Sequence, residues 1–182
     1  MTTRRNLLLA AGAMGLAAGT ADAAPEALLC KPIPSTGELI PIIGLGSARR
    51  YEEARGEAEM APLRDTFRRF QQLGGRAVDT APSYGNAEAL MGTIIADLNI
   101  RRDLFLCTKV GVDTPEQGRA QIEQSFRNLR TDRIDLLAVH NLRDITNQLA
   151  ILRELKQAGR IRYVGATTSF DRQYEAFEAM MR

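Results

Sequence analysis

The sequence predicts an α/β fold built on a parallel sheet, and three observations carry the prediction. Short apolar segments at 42–46, 76–79, 104–109, 134–140 and 161–167, bounded by Gly, Asp, Arg or Asn, read as strands. Runs with apolar residues at helical spacing follow them. Each helix must return the chain to the same end of the sheet, so neighbouring strands run parallel. Finally, polar residues recur at one strand–helix period: Asp79 to Lys109 is 30 residues, Lys109 to His140 is 31 and His140 to Thr167 is 27. They therefore share one height, at the carboxyl ends of the strands, where parallel sheets and barrels build their functional rim.

Taken in order, residues 1–23 read as a leader rather than fold material. Arg4-Arg5 precedes an apolar run over 7–19, and Ala21-Asp22-Ala23 supplies small residues for cleavage. At roughly 13 residues the run is too short to span a bilayer. The adjacent arginines resemble a twin-arginine export signal, which implies export of a folded protein to the periplasm or beyond. Residues 24–182 then form one domain. It opens on two extended arms around a turn at Gly37, with Pro34 and Pro41 keeping both arms at a sheet edge. Helical stripes follow: Leu63, Phe67 and Phe70; Met91, Ile94, Ile95 and Leu98; Ile122, Phe126 and Leu129; Leu149, Leu152 and Leu155; and Phe170, Tyr174, Phe177 and Met181. Pro62 fits a first helical position, and Thr114-Pro115-Glu116-Gln117 combines an N-cap, a proline and a capping-box partner. Gly74 and Gly159 read as stops. The polar stretch 49–60 is expected to be a mobile loop.

Composition narrows the function classes. A net charge of +2, with 25% charged and 45% hydrophobic residues, is ordinary for a globular domain and offers no field for steering nucleic acid. Two cysteines permit at most one disulfide. Cys107 is expected to be a buried thiol two residues before Lys109 on the same strand face, and a bridge to Cys30 is not expected. One histidine and two separated cysteines cannot form a His-rich metal centre, so no metal site is assigned, although a carboxylate-bound magnesium stays open. No Gly-x-Gly-x-x-Gly, Walker lysine motif or nucleophile elbow is present.

Each rim residue has a plain structural reading. Asp79 can cap a turn, Lys109 can be a surface lysine, His140 can be a satisfied strand-end histidine, and Tyr84 can be a loop aromatic. Together they place a carboxylate, a phenol, an amine and an imidazole at one pocket, a set suited to proton transfer to a carbonyl oxygen. A phenol is too weak an acid at neutral pH unless a cation favours the phenolate. Lys109 can supply that cation, with Asp79 holding it charged, and His140 can donate to the oxygen or relay the proton. The hydride must come from outside the chain, and a nicotinamide cofactor is its natural source. A Schiff-base role for Lys109 would leave Tyr84 unexplained.

These residues stand in segments that resemble the aldo-keto reductase family. The matching segments are Val78-Asp79-Thr80-Ala81-Pro82-Ser83-Tyr84-Gly85-Asn86-Ala87-Glu88, Thr108-Lys109-Val110, Ile134 through Asn141, and Gly159 through Gly165, with Ile43-Gly44-Leu45-Gly46 and the leading hairpin also fitting. The resemblance implies a (β/α)8 TIM barrel and NADP(H)-dependent reduction of a small aldehyde or ketone. In it Tyr84 is the acid, Lys109 and Asp79 tune it, and His140 orients the carbonyl. It also implies that Gly46, Ser47 and Asp79 lie near the nicotinamide ribose. Thr167 and Thr168 stand where the family often carries Ser-Asn against the carboxamide. Ala48 and Gly111 replace common aromatics, which implies a more open substrate pocket. A whole barrel takes about 250 residues, and this chain supplies about five of eight units, so it is expected to be truncated. Weak NADPH binding and poor activity follow as expectations, and the alternative reading is an inert chain serving as a binding module.

Overall fold

The computed structural model of the protein describes residues 28–53 and 56–182, and the expected leader, 1–23, lies outside them. A short antiparallel hairpin, β1 (Cys30–Pro32) and β2 (Leu39–Pro41), comes first. The remainder alternates: β3 (Leu45–Gly46), α1 (Glu57–Gln72), β4 (Ala77–Asp79), α2 (Ala87–Leu98), β5 (Phe105–Val110), α3 (Pro115–Asn128), β6 (Ile134–His140), α4 (Ile145–Gln157), β7 (Ile161–Thr167) and α5 (Tyr174–Met181). The five strands from β3 to β7 pair in chain order, all parallel. Among the described residues no helix is long and apolar enough to cross a membrane.

Register places the chemistry. Gly46, Asp79, Cys107, Leu136 and Tyr163 form one row across the sheet. Because side chains alternate faces with period two, Lys109 stands one step beyond that row on the same face. His140, paired with Thr167, stands two steps beyond. The ends of β4, β5 and β6 are thus staggered, as strands in a sheared parallel sheet are. On the opposite face Val78, Leu106, Val110, Leu137 and Val139 meet Phe67, Met91, Ile94, Ile122 and Leu152 of the helices in one buried core. Each such side chain contributes roughly 1.5–3 kcal/mol by leaving water.

Two glycines let the helices pack so closely. A Cβ on Gly92 of α2 would lie 2.1 Å from the Asn128 carbonyl oxygen of α3, and one on Gly118 of α3 would lie 2.1 Å from Oε1 of Gln148 on α4. The expected cap of α3 forms, with the Gln117 N–H donating to Thr114 Oγ1 at 3.3 Å and Pro115 opening the helix.

Several expectations are corrected. β3 covers only two residues of 42–46, with Ile42 and Ile43 exposed. Helix α1 begins at Glu57, so Pro62 lies inside it rather than at its first position, and the expected loop over 49–60 is shorter. Within that loop Tyr51 is buried edge-on against Phe67, ring centroids 5.9 Å apart. Helix α5 starts at Tyr174, after Phe170, and has no buried residue.

Candidate active site

The segment between β4 and α2 is fixed before any side chain acts. The Thr80 N–H donates to the Cys107 carbonyl at 3.0 Å, the Tyr84 N–H to Ala81 at 3.0 Å, and the Ala87 N–H to Tyr84 at 3.0 Å. Gly85, at φ +52, makes the left-handed turn between them. Tyr84 is thereby held over the end of β5.

All four predicted side chains come together. Lys109 is only 7% exposed and donates to both Asp79 oxygens, at 2.8 and 2.7 Å, and to the Thr80 carbonyl at 2.8 Å. An ammonium has three hydrogens, so Lys109 is saturated. It stands 5.1 Å from the Tyr84 ring centroid. The His140 ring meets Tyr84 edge-on, centroids 6.2 Å apart, and its Nδ1 lies 3.5 Å from Ser83 Oγ. Burial, reinforced by the Lys109 charge and opposed by Asp79, lowers the pKa of His140 and favours the neutral imidazole. Burial, together with the Asp79 charge, pushes the Cys107 thiol up to about 12, against the pull of Lys109. Cys107 is half-buried where a buried thiol was expected, Cys30 is exposed, and both cysteines are free.

The residues assigned to a cofactor are arranged less uniformly. A Cβ on Gly46 would meet nothing within 4 Å, so the surface beside Asp79 is open. Ser47 is buried and its Oγ has no partner, as has Thr80 Oγ1. Thr167 is half-buried beside His140. Thr168 is already engaged: its hydroxyl donates to Gln173 Oε1 and accepts from the Phe170 N–H at 3.1 Å. Gly46 thus leaves open surface beside Asp79, the Ser47 hydroxyl lies beneath that surface without accessible area, and the commitment of Thr168 leaves Thr167 as the freer of the two threonines.

Some supporting groups were not foreseen. Buried Glu88 accepts from Thr108 Oγ1 at 2.7 Å and Asn128 Nδ2 at 3.2 Å, locking α2 to the strand that carries Lys109. Arg143 donates to Asp113 Oδ1 and to the Gly111 carbonyl, both at 2.9 Å, bracing the loops after β5 and β6. Asn141 Oδ1 accepts from the Ser169 N–H at 3.0 Å and so joins the ends of β6 and β7. A Cβ on Gly111 would approach the His140 Cβ to 3.1 Å, so the glycine clears the space over the imidazole.

Comparison with known proteins identifies the family and the fold. The Aldo/keto reductase family model matches residues 42–180. The chain is 31% identical over 163 residues to aldo-keto reductase YhdN of Bacillus subtilis, covering 81% of this chain and 49% of that protein. It is 30% identical to methylglyoxal reductase DkgB of Salmonella typhi, covering 69% and 47%. The chain therefore spans about half the length of these relatives. Among solved structures, the thermostable aldo-keto reductase Tm1743 in complex with epalrestat aligns at TM-score 0.70 and 27% identity, covering 84% of this chain and 58% of that one. The Klebsiella pneumoniae aldo/keto reductase in complex with NADP and acetate aligns at 0.62 and 26%, covering 77% and 50%. With a family match over residues 42–180, most of its length, and a parallel five-stranded sheet that aligns with solved aldo-keto reductases, this chain belongs to the aldo/keto reductase family.

Proposed function

We propose that the protein serves NAD(P)H-dependent reduction of a small aldehyde or ketone to an alcohol, with Tyr84 as general acid. The observation that carries this reading is the saturated Lys109 ammonium, gripped by Asp79 and fixed 5.1 Å from the Tyr84 ring. The NADP complex of the Klebsiella relative supports the cofactor class. Gly46, Ser47, Asp79 and Thr167 would hold the nicotinamide end of the cofactor, which supplies hydride to the carbonyl carbon when bound.

The chain's own contribution is the proton. As negative charge develops on the carbonyl oxygen, the Tyr84 hydroxyl delivers a proton to it, and the phenolate left behind is stabilised by the field of Lys109. Lys109 acts by charge, because all three of its hydrogens are committed. That commitment also argues against a Schiff base, which needs a free amine. Neutral His140, with Nδ1 turned to Ser83, has Nε2 left to donate to the same oxygen and orient it. Export directed by residues 1–23 belongs to the same proposal and is supported by the arginine pair and apolar run.

Purified protein incubated with NADPH and 4-nitrobenzaldehyde tests the reading. Turnover followed by loss of NADPH absorbance, and reduced by about 10²–10⁴ in Tyr84→Phe, is the expected result. Equal rates in the two proteins would remove Tyr84 from the acid role. No turnover together with no change in NADPH fluorescence on mixing would favour a binding module.

A further inference from the structure

At the amino ends of β4 to β7, opposite the candidate active site, five arginines line one cavity of about 470 Å³: Arg76, Arg101, Arg102, Arg133 and Arg162. Two carboxylates, Asp132 and Asp135, share that lining. Five positive groups against two negative ones leave a local excess of three, more than the net +2 of the whole chain.

The five guanidiniums are not equivalent. Asp135 is used up within the wall: Oδ1 accepts from Arg162 at 2.8 Å, and Oδ2 accepts from Arg101 at 3.0 Å and from the Leu106 N–H at 2.8 Å. Arg101 also donates to Thr131 Oγ1 and the Leu104 carbonyl, so it is fully braced. Arg76 uses only Nε, toward the Asp103 carbonyl at 3.3 Å. Among the described residues the guanidiniums of Arg102 and Arg133 have no hydrogen-bond or ion-pair partner. Three cations thus share a concave space in which Asp132 is the one uncommitted carboxylate of the lining, while Glu38, bonded to Arg162, also draws on Arg76 from outside it. Like charges so gathered repel, and a multivalent anion relieves the repulsion. The cavity lies within the roughly 300–1,000 Å³ range of small-molecule clefts. Guanidinium forks match phosphate oxygens in bidentate geometry.

We propose that this cavity binds a small molecule bearing a pyrophosphate or two phosphates, held by Arg76, Arg102 and Arg133, with Arg101 and Arg162 fixed in place by Asp135. The site stands apart from the reductase reading and does not depend on it.

Calorimetric titration of the full chain with inorganic pyrophosphate at constant ionic strength is the test. Saturable binding with Kd below about 1 mM is expected, weakened at least tenfold in Arg102→Ala/Arg133→Ala and unchanged in Tyr84→Phe. Absence of saturable binding, or equal binding by the double variant, overturns the proposal. Citrate binding as tightly as pyrophosphate would overturn the phosphate assignment, since charge alone would then suffice. Both arginines are exposed and their guanidiniums unpartnered, so the double variant loses no hydrogen bond or ion pair; should it fail to unfold cooperatively, Arg102→Lys/Arg133→Lys carries the same test through loss of the planar fork.

Discussion

Lys109 spends every ammonium hydrogen on Asp79 and Thr80, so its effect on Tyr84 is that of a fixed charge beside a phenol. Lys109→Met is therefore expected to lower kcat by about 10²–10⁴ while leaving KM for the carbonyl little changed, as steady-state kinetics would show. An Asp79→Asn variant should fall between Lys109→Met and wild type, because the lysine keeps two neutral acceptors, the amide oxygen and the Thr80 carbonyl, and loses the carboxylate. Buried Glu88 makes a different claim: Glu88→Ala strands Thr108 and Asn128 and should cost about 1–3 kcal/mol in urea unfolding, with Glu88→Gln milder. The carboxylate, the amine and the imidazole were legible from type and spacing, since 30- and 31-residue intervals put them at the ends of successive strands, although the register staggers them instead of setting them at one height; Tyr84, in a loop, was legible only from its motif. The third acceptor of Lys109 was not, because a backbone carbonyl leaves no mark in residue identity. Ser83 and Glu88 stood inside the recognised motif, but their partners, His140 and Thr108, lie in other segments that only the packed sheet brings near.

Among the elements, β6 and β7 run over the residues that apolar patterning assigns them, and β4 and β5 agree within one residue at each end. Disagreement concentrates where solvent hides the pattern. The first turn of α1, Glu57-Ala58-Glu59, is exposed and shows no apolar period, so the helix seemed to wait for Pro62. Gly92 and Gly118 carry the converse lesson, since each reads as a weak helix position until the neighbouring helix is seen against it. Gly92→Ala is expected to destabilise by about 1–3 kcal/mol, because the new methyl meets the backbone of α3, which cannot swing aside. Gly118→Ala meets the flexible amide of Gln148 and should cost less. Chemical denaturation of the two variants would rank them.

At the scale of the molecule, the hairpin is tied to the sheet by charge: Tyr163 donates to Glu38 Oε2 at 2.6 Å, Arg162 bonds the same carboxylate, and Arg162 in turn holds Asp135. Hydrogen bonds from Tyr163 and Arg162 lower the pKa of Glu38. Its stabilising contribution is present above the ordinary carboxylate value of 4.5 and is lost as pH falls below it. His140, also lowered, titrates in an earlier window: its contribution is complete above 6.5 and declines as pH falls from there toward its folded value. Stability measured against pH should therefore soften first below 6.5 and again below 4.5, and His140→Gln should erase only the upper step. The two free cysteines complete the picture. Cys30 stands exposed on the hairpin, while Cys107 is held protonated in the sheet with its pKa near 12. At neutral pH the folded molecule consequently offers an alkylating reagent one thiol rather than two. A dye placed there marks the hairpin alone, and the appearance of a second labelled site becomes a clock for opening of the sheet beneath Asp79 and Lys109.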